Sequence, residues 1–264
     1  MNLREKYGEW GIILGATEGV GKAFAEKIAS EGMSVVLVGR REEKLQELGK
    51  SISETYGVDH MVIRADFAQS DCTDKIFEAT KDLDMGFMSY VACFHTFGKL
   101  QDTPWEKHEQ MINVNVMTFL KCFYHYMGIF AKQDRGAVIN VSSLTAISSS
   151  PYNAQYGAGK SYIKKLTEAV AAECESTNVD VEVITLGTTI TPSLLSNLPG
   201  GPAGEAVMKA AMTPEACVEE AFDNLGKSLS VIAGDHNKAN VHNWQANKTD
   251  DEYIRYMGSF YSNN

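Results

Sequence analysis

The stretch from Ile139 to Lys160 contains side chains that can transfer protons, at a spacing that brings two of them together. Tyr156 stands four residues before Lys160, and side chains at positions i and i+4 of a helix lie on the same face. A free tyrosine, with a pKa of about 10, is a poor base at neutral pH. Since an adjacent ammonium group favours the phenolate, we expect a lowered pKa for Tyr156, and a shift of roughly two to three units would suit acid–base catalysis at neutral pH. The pair is a candidate for general acid–base catalysis.

Several serines precede this tyrosine. Ser142 and Ser143 end an apolar run, and Ser148, Ser149 and Ser150 follow closely. A serine hydroxyl can hold a substrate oxygen by a hydrogen bond while the tyrosine exchanges a proton. Spacing alone does not choose among these serines.

A second candidate site lies near the N-terminus. Gly15, Gly19 and Gly21 separate a short apolar run from an amphipathic segment that predicts a helix. Glycines at such a turn let the backbone approach a pyrophosphate, and the helix N-terminus offers free N–H groups and a partial positive charge. The segment therefore predicts a dinucleotide site. The other residues assigned to it are Thr17, Glu18 and Val20.

Two arginines follow the second apolar run, where a protein that binds NAD usually has an acidic residue for the ribose 2′-hydroxyl. The run ends at Gly39, and Arg40 and Arg41 come next. Guanidinium groups bind a 2′-phosphate through paired hydrogen bonds, so the pair favours NADP. The alternative is that both arginines only begin a solvated helix. Cations are unfavourable at a helix N-terminus, which supports the phosphate-binding interpretation.

These candidate residues require a fold that positions them. Short apolar runs alternate with segments of helical period, as is typical of parallel strands covered on both faces. The sequence predicts a single doubly wound, Rossmann-type α/β domain over residues 1–264, with a parallel sheet of about seven strands and helices on both faces. The predicted strands are 10–15, 34–39, 60–66, 86–94, 136–143, 179–187 and 229–234. The predicted helices are 20–32, 41–57, 105–132 and 154–174.

Two segments depart from this alternation. The Gly- and Pro-rich stretch 188–205 follows the sixth predicted strand, and ligands of such folds bind beyond the carboxyl ends of the strands. We expect a mobile substrate loop at about 188–214, and the alternative is an ordinary surface loop. The aromatic residues of the polar tail 235–264 indicate docking, either onto the protein's own core or onto a second subunit. They are Trp244, Tyr253, Tyr256, Phe260 and Tyr261.

Composition argues against several functions. The net charge of −10 disfavours binding to nucleic acid, which requires a cationic face. The sequence has no run of about 18 apolar residues that would span a membrane, and its N-terminus lacks the apolar segment of a signal peptide. The five cysteines form no CxxC pair, so neither a disulfide framework nor a zinc site is indicated. We expect a cytoplasmic protein without a metal.

The motifs together resemble the short-chain dehydrogenase/reductase family. The GxxxGxG turn, the YxxxK pair and Asn115 in INVNVMTF match that family's pattern, over about residues 10–234. The resemblance implies hydride transfer between an alcohol or ketone and a nicotinamide cofactor. It selects Ser143, which stands 13 residues before Tyr156, as the serine that binds substrate. It also favours Asn115 over Asn113 as the asparagine that kinks a helix and holds a water linked to the lysine.

The resemblance implies further cofactor contacts. An aspartate in the position of Asp66 binds the adenine, and Phe67 supplies backbone beside it. The segment that contacts the nicotinamide carboxamide corresponds to residues after the sixth predicted strand, namely Gly187, Thr189 and Thr191. Contacts are also expected at Ala92 and Cys93, although the family usually has Asn-Asn-Ala-Gly where this chain has Tyr-Val-Ala-Cys.

Longer stretches narrow the resemblance to one group within the family. QDTPWEKHE, TPSLLSNLPGGP and DEYIRYMGSFY, together with the unusual YVAC, resemble the NADP-dependent 7β-hydroxysteroid dehydrogenases of intestinal bacteria. The implied reaction is reversible oxidation of the 7β-hydroxyl of a bile acid to a ketone. The apolar side chains available for such a substrate are Leu194, Leu195, Leu198, Val207 and Met208. Leucine and methionine at helical spacing are, however, more often core residues.

Other functions and assemblies are consistent with the same motifs. The alternatives are an NADP-dependent carbonyl reductase of another substrate class, such as a 3-oxoacyl reductase, and a non-catalytic NADP-binding sensor. The family usually forms dimers or tetramers through its long helices, here 105–132 and 154–174. We therefore expect a homodimer or homotetramer.

Overall fold

The computed structural model describes residues 2–198 and 200–259. Its strands are β1 (Trp10–Leu14), β2 (Ser34–Gly39), β3 (His60–Arg64), β4 (Met85–Tyr90), β5 (Gly136–Ser143), β6 (Val179–Leu186) and β7 (Ser230–Ile232). Within the described residues they form one parallel sheet, in the order β3-β2-β1-β4-β5-β6-β7. The predicted Rossmann-type fold is confirmed.

Helices connect the strands. They are α1 (Leu3–Tyr7), α2 (Gly19–Ser30), α3 (Glu42–Tyr56), α4 (Cys72–Thr80), α5 (Trp105–Ile112), α6 (Phe119–Gln133), α7 (Ala154–Glu173), α8 (Pro192–Ser196), α9 (Gly201–Ala210), α10 (Pro214–Asn224), α11 (Asp235–Asn247) and α12 (Asp250–Ser259). Across residues 2–198 and 200–259, none of them is both long and apolar enough to cross a membrane.

Both faces of the sheet are buried, because successive side chains of a strand point to opposite faces. Ile13 and Leu37 pack on one face, in a core shared with α2, α3 and α10. Ile12 and Val38 pack on the other face, in a core shared with α4, α6 and α7. Each fully buried aliphatic side chain contributes about 1.5–3 kcal/mol. The sequences of the strands are therefore continuously apolar. The buried sheet holds the residues at its carboxyl edge in fixed positions.

The helix predicted over 105–132 is interrupted in the structure. A π-helical turn, Asn113–Thr118, separates α5 from α6. Such turns insert an extra residue into the helix and frequently occur at functional sites. Here the turn brings Asn115 into the interior, where it is 1% exposed.

The expected substrate loop at about 188–214 is more regular than its composition indicates. Pro192 and Pro214 begin α8 and α10, and Thr191 and Thr213 each accept a 3.2 Å hydrogen bond from a backbone N–H three residues on. Proline is suited to the first turn of a helix because its missing N–H would be unpaired there. The Thr-Pro pairs are therefore helix starts. Pro199, inside the expected substrate loop, lies outside the described residues.

The tail forms α11 and α12 and packs against the rest of the chain, with Asn237 close to Gly187 and Gly258 close to Pro151. Trp244 is buried and stacks on Tyr253 with ring centroids 4.3 Å apart. Docking onto the core was one of the two expectations for this segment. Phe260 and Tyr261, which belong to the same expectation, lie outside the described residues.

Candidate active site

The carboxyl ends of β1, β4, β5 and β6 meet at one edge of the sheet, where the order of the strands reverses between β1 and β4. Two adjoining cavities open there, a first cavity of about 460 Å³ and a second cavity of about 1150 Å³. Their common wall includes Cys93, His95, Ser143, Tyr156 and Thr189. A ligand in one cavity would therefore lie directly against a ligand in the other.

The glycine turn forms one end of the first cavity. Gly15 has φ 103°, and a Cβ atom there would lie 2.6 Å from the backbone nitrogen of Ala92. A Cβ on Gly21 would lie 1.9 Å from the carbonyl oxygen of Gly15. Gly19 begins α2 and lies against Thr191. Gly19 and Gly21 do not line the cavity themselves. The residues of the turn that line it are Gly15, Thr17, Glu18 and Val20.

Positive charge accumulates at the far end of the first cavity. Arg40 and Arg41 both line it. The guanidinium group of Arg41 lies 2.9 Å from the carboxylate of Glu18, and the ammonium group of Lys44 lies 3.7 Å from it. The bond from Arg41 holds the pKa of Glu18 below its usual value. Arg41 and Lys44 thus share the carboxylate of Glu18, and Arg40 adds a third positive charge at this end of the cavity.

Asp66 and Phe67 continue the wall of the first cavity after β3. One carboxylate oxygen of Asp66 accepts from the backbone N–H of Ala68 at 3.1 Å, which fixes the turn. The carbonyl oxygen of Phe67 accepts from the hydroxyl of Thr118 at 2.8 Å. The π-helical turn therefore anchors this part of the wall.

The Tyr-Val-Ala-Cys sequence at the end of β4 connects this strand to β1 and to the π-helical turn by hydrogen bonds. The hydroxyl of Tyr90, which is fully buried, donates to the carbonyl of Val114 at 2.6 Å. The backbone N–H groups of Val91 and Ala92 both donate to the carbonyl of Leu14, at 2.9 and 2.8 Å. Tyr90 thus ties β4 to the π-helical turn without the asparagines that the family usually has here. Ala92 and Cys93 line the first cavity.

Asn115 uses its side chain to hold the segment that follows β4. Its carboxamide oxygen accepts from the N–H of Phe94 at 2.9 Å, and its nitrogen donates to the carbonyl of Phe94 at 2.7 Å. Asn113, the competing candidate, donates instead to the carbonyl of Ala68 at 3.2 Å. Asn115 is therefore a positioning residue for the backbone around Cys93, and the water-binding role implied by the resemblance stays a prediction.

The structure separates the two serines at the end of β5. Ser142 is buried and donates to the carbonyl of Lys160 at 2.9 Å, so its hydroxyl is used within the protein. Ser143 lines both cavities, and its hydroxyl is close enough to Tyr156 to lower the pKa of the phenol. Of these two hydroxyls, only that of Ser143 is placed to meet a ligand beside the tyrosine.

Tyr156 and Lys160 lie on the cavity face of α7, as their spacing predicts. The ammonium group of Lys160 donates to the carbonyl of Val141 at 2.9 Å and lies 5.8 Å from the centre of the Tyr156 ring. Burial raises the pKa of Tyr156, and the nearby Cys93 raises it further. Ser143 lowers this pKa, but the net shift is upward. Burial also lowers the pKa of Lys160. The expected lowering of the tyrosine pKa is wrong, because removing water from the phenolate outweighs the stabilisation that it receives.

Cys93 and His95 are residues of the site to which motif analysis gave no catalytic role. Cys93 is exposed at the cavity wall. The surrounding protein raises its pKa, but the interaction with His95 and the charge of Lys160 outweigh this effect, and the net shift of the pKa is downward. The His95 ring lies 5.5 Å from the Tyr156 ring. Only their position just after the end of β4 could have indicated a role for them. No group of three or more His, Cys, Asp or Glu side chains in the described part of the chain is arranged to hold a metal ion.

The segment after β6 separates the two cavities. Gly187, Thr189 and Thr191 line both of them. The hydroxyl of Thr189 donates to the carbonyl of Gly187 at 3.2 Å, and a Cβ atom on Gly187 would lie 2.6 Å from the side chain of Asn237 in α11. The tail therefore packs directly behind the expected nicotinamide segment.

The second cavity is formed largely by residues that no motif predicts. Of the five apolar residues expected to face a substrate, Leu194 lines it, whereas Leu195 is 52% exposed. The other three, Leu198, Val207 and Met208, are partly buried and are not among the described residues that line the second cavity. Tyr253 and Met257 of α12 form part of its wall.

Comparison with known proteins is consistent with this geometry. The family model for short chain dehydrogenases matches residues 9–198. A 7β-hydroxysteroid dehydrogenase of Mediterraneibacter gnavus is 75% identical over 261 residues, which cover 99% of both chains. The 7β-hydroxysteroid dehydrogenase of Collinsella aerofaciens is 76% identical over the same share. A solved structure from work on 7β-hydroxysteroid dehydrogenase stereoselectivity is 76% identical, covers 98% of this chain and 100% of its own, and has a TM-score of 0.95.

Proposed function

The chain belongs to the short-chain dehydrogenase family, and we propose that it interconverts the 7β-hydroxyl and 7-keto groups of bile acids with NADP, as in ursodeoxycholate and 7-ketolithocholate. The observation that carries this proposal is that Tyr156 and Ser143 lie in the wall common to both cavities. A carbonyl oxygen bound there would contact both hydroxyls, with its ring system in the second cavity. The near-full-length identity with 7β-hydroxysteroid dehydrogenases supports the choice of substrate.

The first cavity fits a nicotinamide dinucleotide, the cofactor class of this family. The close backbone approach at Gly15 and Gly21 and the N-terminus of α2 suit a pyrophosphate. Arg40 and Arg41, with no carboxylate at Gly39, suit the 2′-phosphate of NADP rather than a free hydroxyl. When bound, the cofactor supplies or accepts the hydride.

The residues proposed for proton transfer are Tyr156, Ser143 and Lys160, and Asn115, the fourth residue of the catalytic set, is proposed as a positioning residue. The raised pKa of Tyr156 keeps its phenol protonated at neutral pH, so that it can donate a proton to the carbonyl oxygen during reduction. The hydroxyl of Ser143 orients that oxygen. The charge of Lys160 then favours the phenolate that remains, and Asn115 holds the facing backbone in place.

The size and lining of the second cavity suit a steroid. Ligand pockets of about 300–1,000 Å³ enclose most of a drug-sized molecule, and the second cavity measures about 1150 Å³. Leu186, Leu194 and Met257 give it apolar walls. We propose that the segment 188–214, which carries α8 and α9, acts as a mobile cover over this cavity.

The remaining proposals concern assembly and location. Large apolar side chains are exposed along α5, the π-helical turn and α6, among them Trp105 at 69% and Tyr124 at 80%. Exposed apolar patches often mark interfaces. They support a homodimer or homotetramer formed through 105–132 and 154–174, which sedimentation would measure directly. A cytoplasmic location is proposed from the sequence.

The first test is turnover. We expect the purified protein to form NADPH with NADP and ursodeoxycholate, and not with the 7α epimer chenodeoxycholate. Formation of NADPH with the 7α epimer alone would contradict the proposed stereochemistry. Tight NADP binding without turnover of either epimer would agree with the proposed cofactor but contradict the proposal that bile acids are the substrate.

The second test concerns the cofactor. Gly39→Asp should lower kcat/KM for NADP by about 100-fold and raise it for NAD, because a carboxylate repels the 2′-phosphate and accepts from a 2′-hydroxyl. A Cβ atom at position 39 would lie 2.7 Å from the hydroxyl of Thr17. Gly39→Ala is the matched control, since it adds the same atom without the charge. Equal effects of both variants would contradict this placement of the 2′-phosphate.

A further inference from the structure

Three polar side chains in the wall of the second cavity have no role in the proposed proton transfer. Thr145, Ser148 and Asn153 all line that cavity. The hydroxyl oxygens of Thr145 and Ser148 and the carboxamide oxygen of Asn153 are each buried and make no hydrogen bond within the protein. A buried polar atom without a partner loses its hydration with no compensation, so three such groups in one cavity wall indicate a ligand group or an ordered water as their partner.

Asn153 is the most informative of the three. It immediately precedes α7, a position where asparagine usually caps the helix. Its side chain makes no capping bond, and the residue is 7% exposed. The N–H of Gly157 donates instead to the main-chain carbonyl of Asn153 at 3.1 Å. The carboxamide oxygen thus contacts neither bulk solvent nor the N–H groups at the start of α7, although Asn153 forms part of a cavity wall.

The segment that carries these residues is held in an unusual conformation. Tyr152 has φ 63°, in the left-handed region that residues with a Cβ atom rarely adopt. The N–H of Gly98 donates to the carbonyl of Tyr152 at 2.8 Å, and the N–H of Asn153 donates to the carbonyl of Ser150 at 3.2 Å. Strain of this kind persists where the surrounding structure enforces it, often beside ligand sites.

The chemistry of the three groups selects a class of ligand. Two hydroxyls can donate and accept, and a carboxamide oxygen accepts. The described lining of the second cavity contains no lysine, arginine, aspartate or glutamate. An ionised group of a ligand would therefore find no fully charged partner in this wall, whereas a neutral hydroxyl could donate to Asn153 and accept from Ser148 or Thr145.

We propose that Thr145, Ser148 and Asn153 form a subsite for a second, neutral hydroxyl group of the substrate, away from the carbon that reacts beside Tyr156. This inference rests on the proposed function. A rigid ring system held at two points, at Tyr156 with Ser143 and at this subsite, has its orientation fixed relative to the first cavity. The subsite would thereby select hydroxylated steroids among apolar ketones and position the reacting face.

The test compares two ketones that differ by one hydroxyl, 7-ketolithocholate and its 3-deoxy analogue, each reduced with NADPH. Wild-type protein should prefer 7-ketolithocholate in kcat/KM by about 10-fold or more, because an analogue that lacks the hydroxyl leaves the buried groups unpaired. Thr145→Val, Ser148→Ala and Asn153→Leu should each lower kcat/KM for 7-ketolithocholate by about 5- to 10-fold. Each should change kcat/KM for the deoxy analogue by less than about twofold. Ser149→Ala is the matched control, since Ser149 is exposed.

The possible outcomes separate the two proposals. Equal losses with both ketones would mean that the three residues only shape the cavity, and would overturn the subsite while leaving the proposed function intact. Unchanged activity with both ketones in every variant would overturn the subsite as well, with ordered water as the partner of these groups. Failure of the wild-type protein to reduce either ketone would overturn the proposed function itself, and the subsite with it.

Discussion

The two cavities of this protein are adjacent, but they are built from different kinds of structure. The first cavity is shaped by backbone, through the glycine turn after β1, the start of α2 and the carboxyl ends of six neighbouring strands, β1 to β6. The second cavity is shaped by side chains from separate segments, including 93–97, 143–153 and α12. A backbone-built site leaves fixed spacings in the sequence, whereas a side-chain-built site does not. The first cavity was therefore foreseeable in detail and the second was not.

The largest effect is expected at the wall that the cavities share. Tyr156→Phe removes the proposed proton donor without altering the ring, and we expect kcat to fall by about 10³-fold or more. The affinity for NADP, measured by fluorescence titration, should remain within a factor of about two. A variant that keeps substantial turnover would contradict the role proposed for Tyr156. A variant that loses NADP binding would show that the two cavities are not independent.

A change confined to the first cavity should act on the cofactor alone. Gly21→Ala places a Cβ atom 1.9 Å from the carbonyl oxygen of Gly15, so the turn must shift. We expect the dissociation constant for NADP to rise by about 100-fold, by analogy with other sites where backbone geometry binds phosphate. Calorimetry would measure it.

Gly128→Ala is the matched control for this change. Gly128 lies in α6, and a Cβ atom there would meet nothing within 4 Å. We expect unchanged NADP affinity and a gain in the free energy of unfolding of about 1 kcal/mol, because alanine favours a helix. An equal loss of affinity in both variants would contradict the importance of the turn.

A change confined to the second cavity should act on the substrate alone. Tyr253→Ala removes a wall of that cavity and a stack on Trp244. We expect KM for the bile acid to rise by about 10-fold at an unchanged KM for NADP, since Tyr253 lines the second cavity and is not among the residues that line the first. Tyr56→Ala, at the partly exposed end of α3, is the control. A change in KM for NADP alone would reverse the assignment of the cavities.

The smallest effect concerns the reactivity of Cys93 in the common wall. The hydrogen bond with His95 and the charge of Lys160 lower the pKa of Cys93, while burial raises the pKa of Cys174. Because the thiolate is the reactive form, alkylation of Cys93 by iodoacetamide should reach half its maximal rate at a lower pH than alkylation of Cys174. Mass spectrometry of the labelled peptides would follow both sites.

Protection by ligands would extend this comparison. Since Cys93 lies in the wall of both cavities, we expect NADP and the bile acid each to slow its alkylation. His95→Ala should shift its pH profile upward, because one stabilising bond to the thiolate is removed. Faster labelling of Cys174 at pH 7 would contradict the lowered pKa of Cys93.

Much of the fold could be predicted because its signals are local. Continuous apolar runs and helical periods indicated the parallel sheet, and the structure confirms it, as the family model confirms the resemblance. The local rules failed where two of them compete. The Gly- and Pro-rich stretch that contains Pro192 indicated a loop, but the threonine cap before Pro192 makes it the start of a helix.

The sequence by itself determined the turn that requires Gly15 and Gly21, the pairing of Tyr156 with Lys160 on one face of α7, and the cationic pair after β2. These depend on spacings of a few residues, which a helix or strand converts into geometry directly. Only the tertiary structure decided the direction of the Tyr156 pKa shift, because burial depends on distant segments packing around the ring. It also decided the use of Asn115 on the backbone of Phe94 and the lining of the second cavity, since residues far apart in the chain become neighbours only after folding.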